Sequence, residues 1–387
     1  MRVLVAAERL GRAGGMERYL DVVLPALVAR GATVHVLAQR VDAIPAAVSA
    51  EPVVWADEHD EPSEAARDAV QSAIANFVPD VAVAHNVMDA GVVEALRAAP
   101  RFAYHVHDHR PFCPNGDRLF PRSAEICAQP VGRPCAVHSL TDGCAYGPRR
   151  RTIELIRRRE RLRDAVATAD VTIVASAYMA AVAARNGIAA GRIVEVAPPL
   201  PDDAYRDDTT AGSARAVVFA GRVVPQKGLD ALVRALRFLR ADRRPQVRVL
   251  GDGPALEDAR AEAARVGVAF ETLGHVDAAT VRTAMDASAL VALPSVWGEP
   301  FGYAGIEAFA RARPVVAFDV GGVRTWLDDG VNGFAVARGN EDAFGNMLQV
   351  LLDDDVARAR FGENARRTAE RFRLAPAIDR LWAAYAR

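Results

Sequence analysis

The sequence has few aromatics, almost no net charge and no long apolar run. Phe, Trp and Tyr make up 6% of the residues, and 48 Lys plus Arg against 49 Asp plus Glu leave a formal net charge of -1. No global basic field is available to hold a phosphate backbone, which excludes nucleic acid as a partner. The N-terminus, MRVLVAAERL, meets Glu8 and Arg9 too early to supply the apolar core of a signal peptide. No uninterrupted apolar stretch reaches transmembrane length. These absences predict a soluble, cytoplasmic protein, with peripheral membrane association left open. Cysteine is scarce too, at 4 in 387 residues. Yet Cys113, Cys127, Cys135 and Cys144 share one window rather than being scattered.

What is present is a regular alternation. RVLVAA (2–7), TVHVLAQ, VPDVAVAHN, RFAYHVHD, ADVTIVAS and GRIVEVAPP read as buried strands. GMERYLDVVLPALVARG between them reads as an amphipathic helix closed by Gly31. PPLPDDAYRDDTTAGSAR (198–215) interrupts the pattern with Pro, Asp, Gly and Ser, as a linker does. AVVFAGR, QVRVLGDG, AFETLGH, ALVALPS and PVVAFDV then restart it. A chain of 387 residues is too long for one ordinary core. Strands alternating with helices imply parallel sheets. The expected fold class is therefore α/β, with two Rossmann-like doubly wound domains facing across a cleft and ligands held outside the carboxyl ends of the strands.

The polar motifs sit just after such strands. GRVVPQKG (221–228) carries Arg222 and Lys227 on one strand-to-helix loop, two cations able to clamp a diphosphate. LGDGP (250–254) places Gly251 where a base or ribose needs close backbone approach. WGEPFGYAGIEA (297–308) joins a strand, a glycine-containing loop and a helix start. Amides of Phe301, Gly302 and Tyr303 would point at a phosphate there, with Glu299 and Glu307 on either side. GRAGGMERYL (11–20) is a second anion-friendly loop, with Gly14 and Gly15 before a helix. It lacks the G-x-G-x-x-G spacing, and the next strand ends in Gln39 and Arg40 instead of an acid. YHVHDHR (104–110) crowds histidines at a strand end, but a metal there lacks a defined third ligand. Each motif also has a plain structural reading: a solvated loop, a turn, or a helix start with acids placed for its dipole.

Together, FAGRVVPQKGLDALVRAL, PSVWGEPFGYAGIEAFARARPVVAFDVGG and GGVRTWLDDGVNGFAV resemble the retaining GT-B glycosyltransferases of family GT4, which use nucleotide-sugar donors. The most specific element is the E-x7-E motif, here Glu299 to Glu307. The resemblance covers nearly the whole chain. On this reading residues 1–200 form an acceptor-side domain with a cysteine-containing insertion at 111–147. Residues 214–371 form the donor domain, and a C-terminal helix at about 372–387 packs back on the first. The resemblance also implies roles. Arg222 and Lys227 would hold the donor diphosphate. Glu299 would accept from donor-sugar hydroxyls and Glu307 from the ribose, while Phe301, Gly302 and Tyr303 offer amides. Gly15 would let the first loop approach the donor. His107 matches the family's cleft histidine, and His275 follows the strand where the family holds the base. The implied reaction moves a sugar from a nucleotide-diphospho-sugar, uridine being the family's commonest base. Front-face attack is assisted by the leaving diphosphate, and no catalytic metal is expected. The acceptor would be a small molecule, a glycan or a lipid-linked group.

Three rivals remain. A GT-B nucleotide-sugar epimerase shares the architecture but would lack the E-x7-E context. An NADP-dependent oxidoreductase would need the glycine spacing that the 11–40 region lacks. A GT-B binding protein without catalysis would keep every motif. Two further segments are unusual. The cysteine window has little apolar periodicity, and a tetrahedral thiolate zinc site would staple it. Its spacings of 13, 7 and 8 intervening residues are not paired C-x2-C, and His138 could replace one ligand. Two disulfides fit the count but not a cytosolic setting. GPRRRTIELIRRRERLRDAV (147–166) reads as a basic helix, either solvated or touching anionic lipid or a phosphorylated acceptor.

Overall fold

The computed structural model describes residues 1–11, 14–56, 63–144, 148–206 and 215–386. Residues 12 and 13 of the first glycine loop, 145–147 of the insertion and 207–214 of the linker lie outside the described residues. The chain divides into two units: Met1–Pro199 with Leu374–Arg387, and Leu200–Arg373.

The first unit holds β1 (Arg2–Leu10), β2 (Thr33–Val41), β3 (Ser49–Pro52), β4 (Val81–His85), β5 (Phe102–Val106), β6 (Val171–Val174) and β7 (Ile193–Glu195). They pair in the order β3-β2-β1-β4-β5-β6-β7, all parallel. The second unit holds β8 (Ala216–Ala220), β9 (Gln246–Leu250), β10 (Phe270–Gly274), β11 (Leu290–Leu293), β12 (Val315–Phe318) and β13 (Gly333–Val336). Their order is β10-β9-β8-β11-β12-β13, again all parallel.

Every residue of β4, β5, β11 and β12 is buried. Parallel strands covered on both faces read as near-continuous apolar runs for this reason. Alternation still sorts the faces of the first sheet. Leu4, Ala6, Ala82, Ala84 and Tyr104 join one apolar cluster, while Val3, Val5, Ala7, Val83 and Ala103 join the other. The second cluster is closed by the helix Leu374–Ala386, which contributes Ala377, Ile378, Leu381, Ala384 and Tyr385. That spacing is the stripe of an amphipathic helix. Each of its larger side chains contributes roughly 1.5–3 kcal/mol by burial. Among the described residues, no helix is long and apolar enough to cross a membrane.

The strand order reverses once in each sheet, between β1 and β4 and between β8 and β11. At such a reversal two neighbouring loops leave in opposite directions, opening a crevice at the carboxyl ends of the strands.

Candidate active site

The loops after β8 and β11 meet at the reversal point of the second unit. Lys227 closes a short 3-10 turn on the first loop, and Glu299 lies on the second. Lys227 Nζ donates to both carboxylate oxygens of Glu299, at 2.9 and 2.8 Å. Ser295 Oγ and Trp297 Nε1 also donate to Glu299, at 2.8 and 2.9 Å. Glu299 is only 4% exposed. Burial pushes its carboxyl up, but the Lys227 charge and the three hydrogen-bonding side chains outweigh this and hold it below its ordinary value. The ammonium also stands 5.4 Å from the centre of the Trp297 ring. Two residues expected to act on different parts of a ligand are thus one ion pair, with Glu299 buried and Lys227 half-buried.

Close backbone packing brings the two loops together. Gly228 has φ 67°, and a Cβ there would lie 2.0 Å from the Pro294 carbonyl oxygen. Gln226 and Val296 are joined by a backbone hydrogen bond of 2.9 Å. Gly251, after β9, lies so close to the Gly221 carbonyl that a Cβ would come within 1.9 Å. Its glycine is explained by chain packing, whatever ligand approaches it. Gly302, at φ 87°, caps the helix Tyr303–Ala310. The Phe301 side chain is buried, and its carbonyl accepts from Trp326 Nε1 at 2.6 Å. Glu307 lies on this helix, 8% exposed. Arg222 is exposed and, among the described residues, forms no ion pair. His275 is exposed just past the edge strand β10.

In the first unit, Gly15 opens the helix Gly15–Ala29 in open space. His107 follows β5. Asn86, left-handed at φ 54° just past β4, accepts the His107 N–H at 3.2 Å and donates to Asp108 at 2.8 Å. Asp108 accepts from Arg110 at 3.0 Å, and Arg110 reaches Glu8 of β1 at 2.9 Å. Three strand ends are thus tied together around His107.

His85 Nδ1 and His107 Nε2 share a hydrogen bond of 2.9 Å. His105 stacks on His107 with ring centres 4.2 Å apart, and Tyr19 meets both edge-on. Among the described residues, these three imidazoles form the group whose ligand atoms all lie within 4.8 Å of one another. The third histidine, missing from the strand-end motif, comes from the neighbouring strand, where His85 pairs with His105. The shared hydrogen bond turns one nitrogen of His85 and one of His107 toward each other instead of toward an ion. Burial pushes all three imidazoles down, and burial followed by the Arg110 charge brings His107 to about 3. The cluster is therefore neutral near pH 7. It can position and hydrogen-bond, but it is not a cationic acid.

The family profile described as Glycosyltransferase Family 4 matches residues 13–203, and that described as Glycosyl transferases group 1 matches residues 203–368. The chain belongs to glycosyltransferase family 4. The D-inositol 3-phosphate glycosyltransferase of Jonesia denitrificans is 35% identical over 189 residues, covering 45% of this chain and 44% of that protein. The phosphatidyl-myo-inositol mannosyltransferase of Mycobacterium leprae is 34% identical over 149 residues, covering 38% of this chain and 40% of that one. The family 4 chain thus spans less than half the length of these curated relatives. The structure of Anabaena Alr3699/HepE in complex with UDP-glucose matches with a TM-score of 0.73 at 18% identity over 99% of each chain. That of WaaG, a glycosyltransferase involved in lipopolysaccharide biosynthesis, matches with a TM-score of 0.71 at 18% identity, over 99% of this chain and 98% of that one. These likenesses show the fold, GT-B with Rossmann-like domains.

In this family 4 chain the sequence reading missed Ser295 and Trp297, which fix Glu299, and His85 and Asn86, which fix His107. A signal existed. SVWGE sets a hydroxyl and an indole four and two residues before the carboxylate, and VAVAHN ends a buried strand on two polar side chains. The four cysteines line one cavity together with His138, and all four are free thiols. Burial pushes the thiols of Cys113 and Cys135 up; burial and then the neighbouring Cys113, Cys127 and Cys135 push Cys144 up to about 12. The basic helix, Arg149–Ala167, is not wholly solvated: Leu155, Ile156, Arg159, Leu162 and Val166 are buried, while Arg149, Arg150, Arg151 and Arg157 are exposed.

Proposed function

We propose that the chain is a retaining glycosyltransferase acting on a nucleoside-diphospho-sugar, with UDP as the first choice of nucleotide. The observation that carries this reading is the half-buried Lys227–Glu299 pair at the β8/β11 reversal. A diphosphate entering there offers Lys227 a second anion, and Glu299 then turns its acceptor capacity to sugar hydroxyls. Arg222 and the first amides of the Tyr303–Ala310 helix add donors on the same strand ends. In the reaction the bond from the anomeric carbon to the diphosphate oxygen breaks, and its electron pair leaves with the diphosphate. The acceptor hydroxyl oxygen bonds to the same face of that carbon, and its proton passes to the departing diphosphate. Charge grows on the leaving group, where Lys227, Arg222 and the amides are positioned to meet it. His107, held neutral, serves as a hydrogen-bonding contact to the donor sugar. No step needs a metal.

Support comes from the family and from the UDP-glucose named in the HepE structure. Relatives are named for inositol 3-phosphate and phosphatidyl-myo-inositol, so inositol compounds head the acceptor panel. The test is a thermal-shift panel of UDP-, GDP-, ADP- and TDP-sugars, followed by product analysis by NMR. A true donor raises Tm by mass action, and its product keeps the donor's anomeric configuration. An inverted product, or no shift with any donor, overturns the reading.

A further inference from the structure

The segment from Cys113 to Cys144 buries a single apolar side chain, Val131. Its helix, Arg133–Thr141, has no buried residue, and Val137 and Leu140 are 58% and 61% exposed. The sheet-like contact at its start is a single bridge, Leu119 to Ile126. Nevertheless, all 4 cysteines of the chain converge on one cavity. Its volume of about 30 Å³ exceeds the roughly 10–15 Å³ that one water needs, which leaves room for a single ion.

Polar groups already face the sulfurs. Backbone N–H groups of Asn115 and Arg118 donate to the Cys113 sulfur, and that of Gly132 donates to Cys135. Donors aimed at a sulfur favour its anionic form. The Arg118 guanidinium is buried at 1% exposure beside these sulfurs. Nη2 donates to the neutral Gln129 carbonyl at 3.0 Å, and Nε has no hydrogen-bond partner among the described residues. A buried cation calls for an anion. Four thiolates around one divalent ion carry a net double negative charge, half of which Arg118 offsets. The dication in turn removes the repulsion that four adjacent thiolates would suffer. His138 lines the same cavity, but its Nδ1 is tied to Asp142 at 2.8 Å and its ring packs on Phe120.

We infer that Cys113, Cys127, Cys135 and Cys144 bind one structural zinc ion as a tetrahedral thiolate set. Four soft sulfur ligands lining one cavity, drawn together on the ion, select zinc among redox-inert divalent ions. The ion would cross-link a segment that begins six positions after His107 and so fix the chain leaving that histidine. The inference does not depend on the transfer reaction.

The full chain, purified without chelator from zinc-supplemented cells, is expected to carry about one zinc per molecule by elemental mass spectrometry. Exchange with Co²⁺ is expected to produce sulfur-to-cobalt charge-transfer absorption and tetrahedral d–d bands, a readout that needs no variant to fold. Cys113→Ser and Cys135→Ser should weaken zinc retention against a competing chelator by more than the roughly tenfold to hundredfold lost with an outer-shell partner. His138→Ala should keep its zinc. Stripping the metal should speed tryptic cleavage at Arg118 and Arg122, leaving cleavage of the second unit unchanged. Four thiols titrating freely in native, metal-free protein would overturn the assignment. So would two disulfides, iron in place of zinc, or zinc lost in His138→Ala but kept in Cys144→Ser. Zinc that leaves on His85→Ala while the cysteine variants retain it would also overturn the site.

Discussion

The loops around Glu299 and the segment around Cys113 both follow the ends of parallel strands, but they are held in different ways. Around Glu299 the fold supplies everything. Glycines let backbones touch, Ser295 and Trp297 fix the carboxylate, and the Phe301 carbonyl is tied to Trp326. Around Cys113 the neighbouring elements supply only anchor points, such as Asn186 at the end of the helix Ala177–Arg185, whose side-chain oxygen accepts from the Val131 amide at 2.9 Å. The zinc inferred above would supply the rest. Close packing therefore makes a ligand site rigid where elements converge, and a metal does the same where they do not.

Four variants probe this contrast. The largest effect is expected from Lys227→Ala, which should lower kcat/KM for transfer by about 10²–10³ while leaving thiol reactivity in the cysteine segment as it was. Near-normal turnover in a donor-hydrolysis assay would reduce the Lys227–Glu299 pair to a structural feature. Gly228→Ala puts a Cβ 2.0 Å from the Pro294 carbonyl at a φ of 67°. It should cost roughly 1–3 kcal/mol, seen as a lower Tm for the second unit alone. A matching loss in the first unit would show that the two regions are not independently held. Glu307→Ala should weaken UDP binding about tenfold, the size of a charged hydrogen bond, whereas Glu299→Ala should act mainly on transfer. Unchanged UDP affinity in Glu307→Ala, measured by calorimetry, removes the ribose role.

The smallest effect is one of sign. The depressed carboxyl of Glu299 contributes stability that is present above its unfolded value, about 4.3, and lost as pH falls through the lower folded value. In Lys227→Met, burial dominates and the folded value rises above the unfolded one. The second unit should then gain stability as pH falls from neutral, by about 1 kcal/mol per unit of raised pKa. Tm profiles that run in parallel for the two proteins would refute the coupling.

Legibility followed burial. Strands covered on both faces, such as VAVAH and FAYHV, stand out because every position is apolar or packed. β3, SAEP, carries no such signal: it is an edge strand with three of four residues exposed. β13, GFAV, begins at a glycine pressed against the Val315 carbonyl and reads as the tail of a turn. At the site, Glu299 and Lys227 were readable as residues but not as partners. Their contact spans 72 positions and exists only because β8 and β11 are neighbours. The same holds for His85 beside His107, a meeting across two strands that no local spacing encodes. The four cysteines were legible as a group because they share a window, whereas Arg118 among them looked like any loop arginine.

The helix Leu374–Ala386 has a consequence for synthesis. It completes the face formed by Val3, Val5, Leu20 and Leu24, which precede the second unit in the chain, with Ile378, Leu381 and Tyr385, which follow it. A ribosome must therefore finish the entire second unit before the first can close. Through that interval the nascent chain presents a strip of valine and leucine to solvent, and whatever shields it there has to let go when Tyr385 emerges.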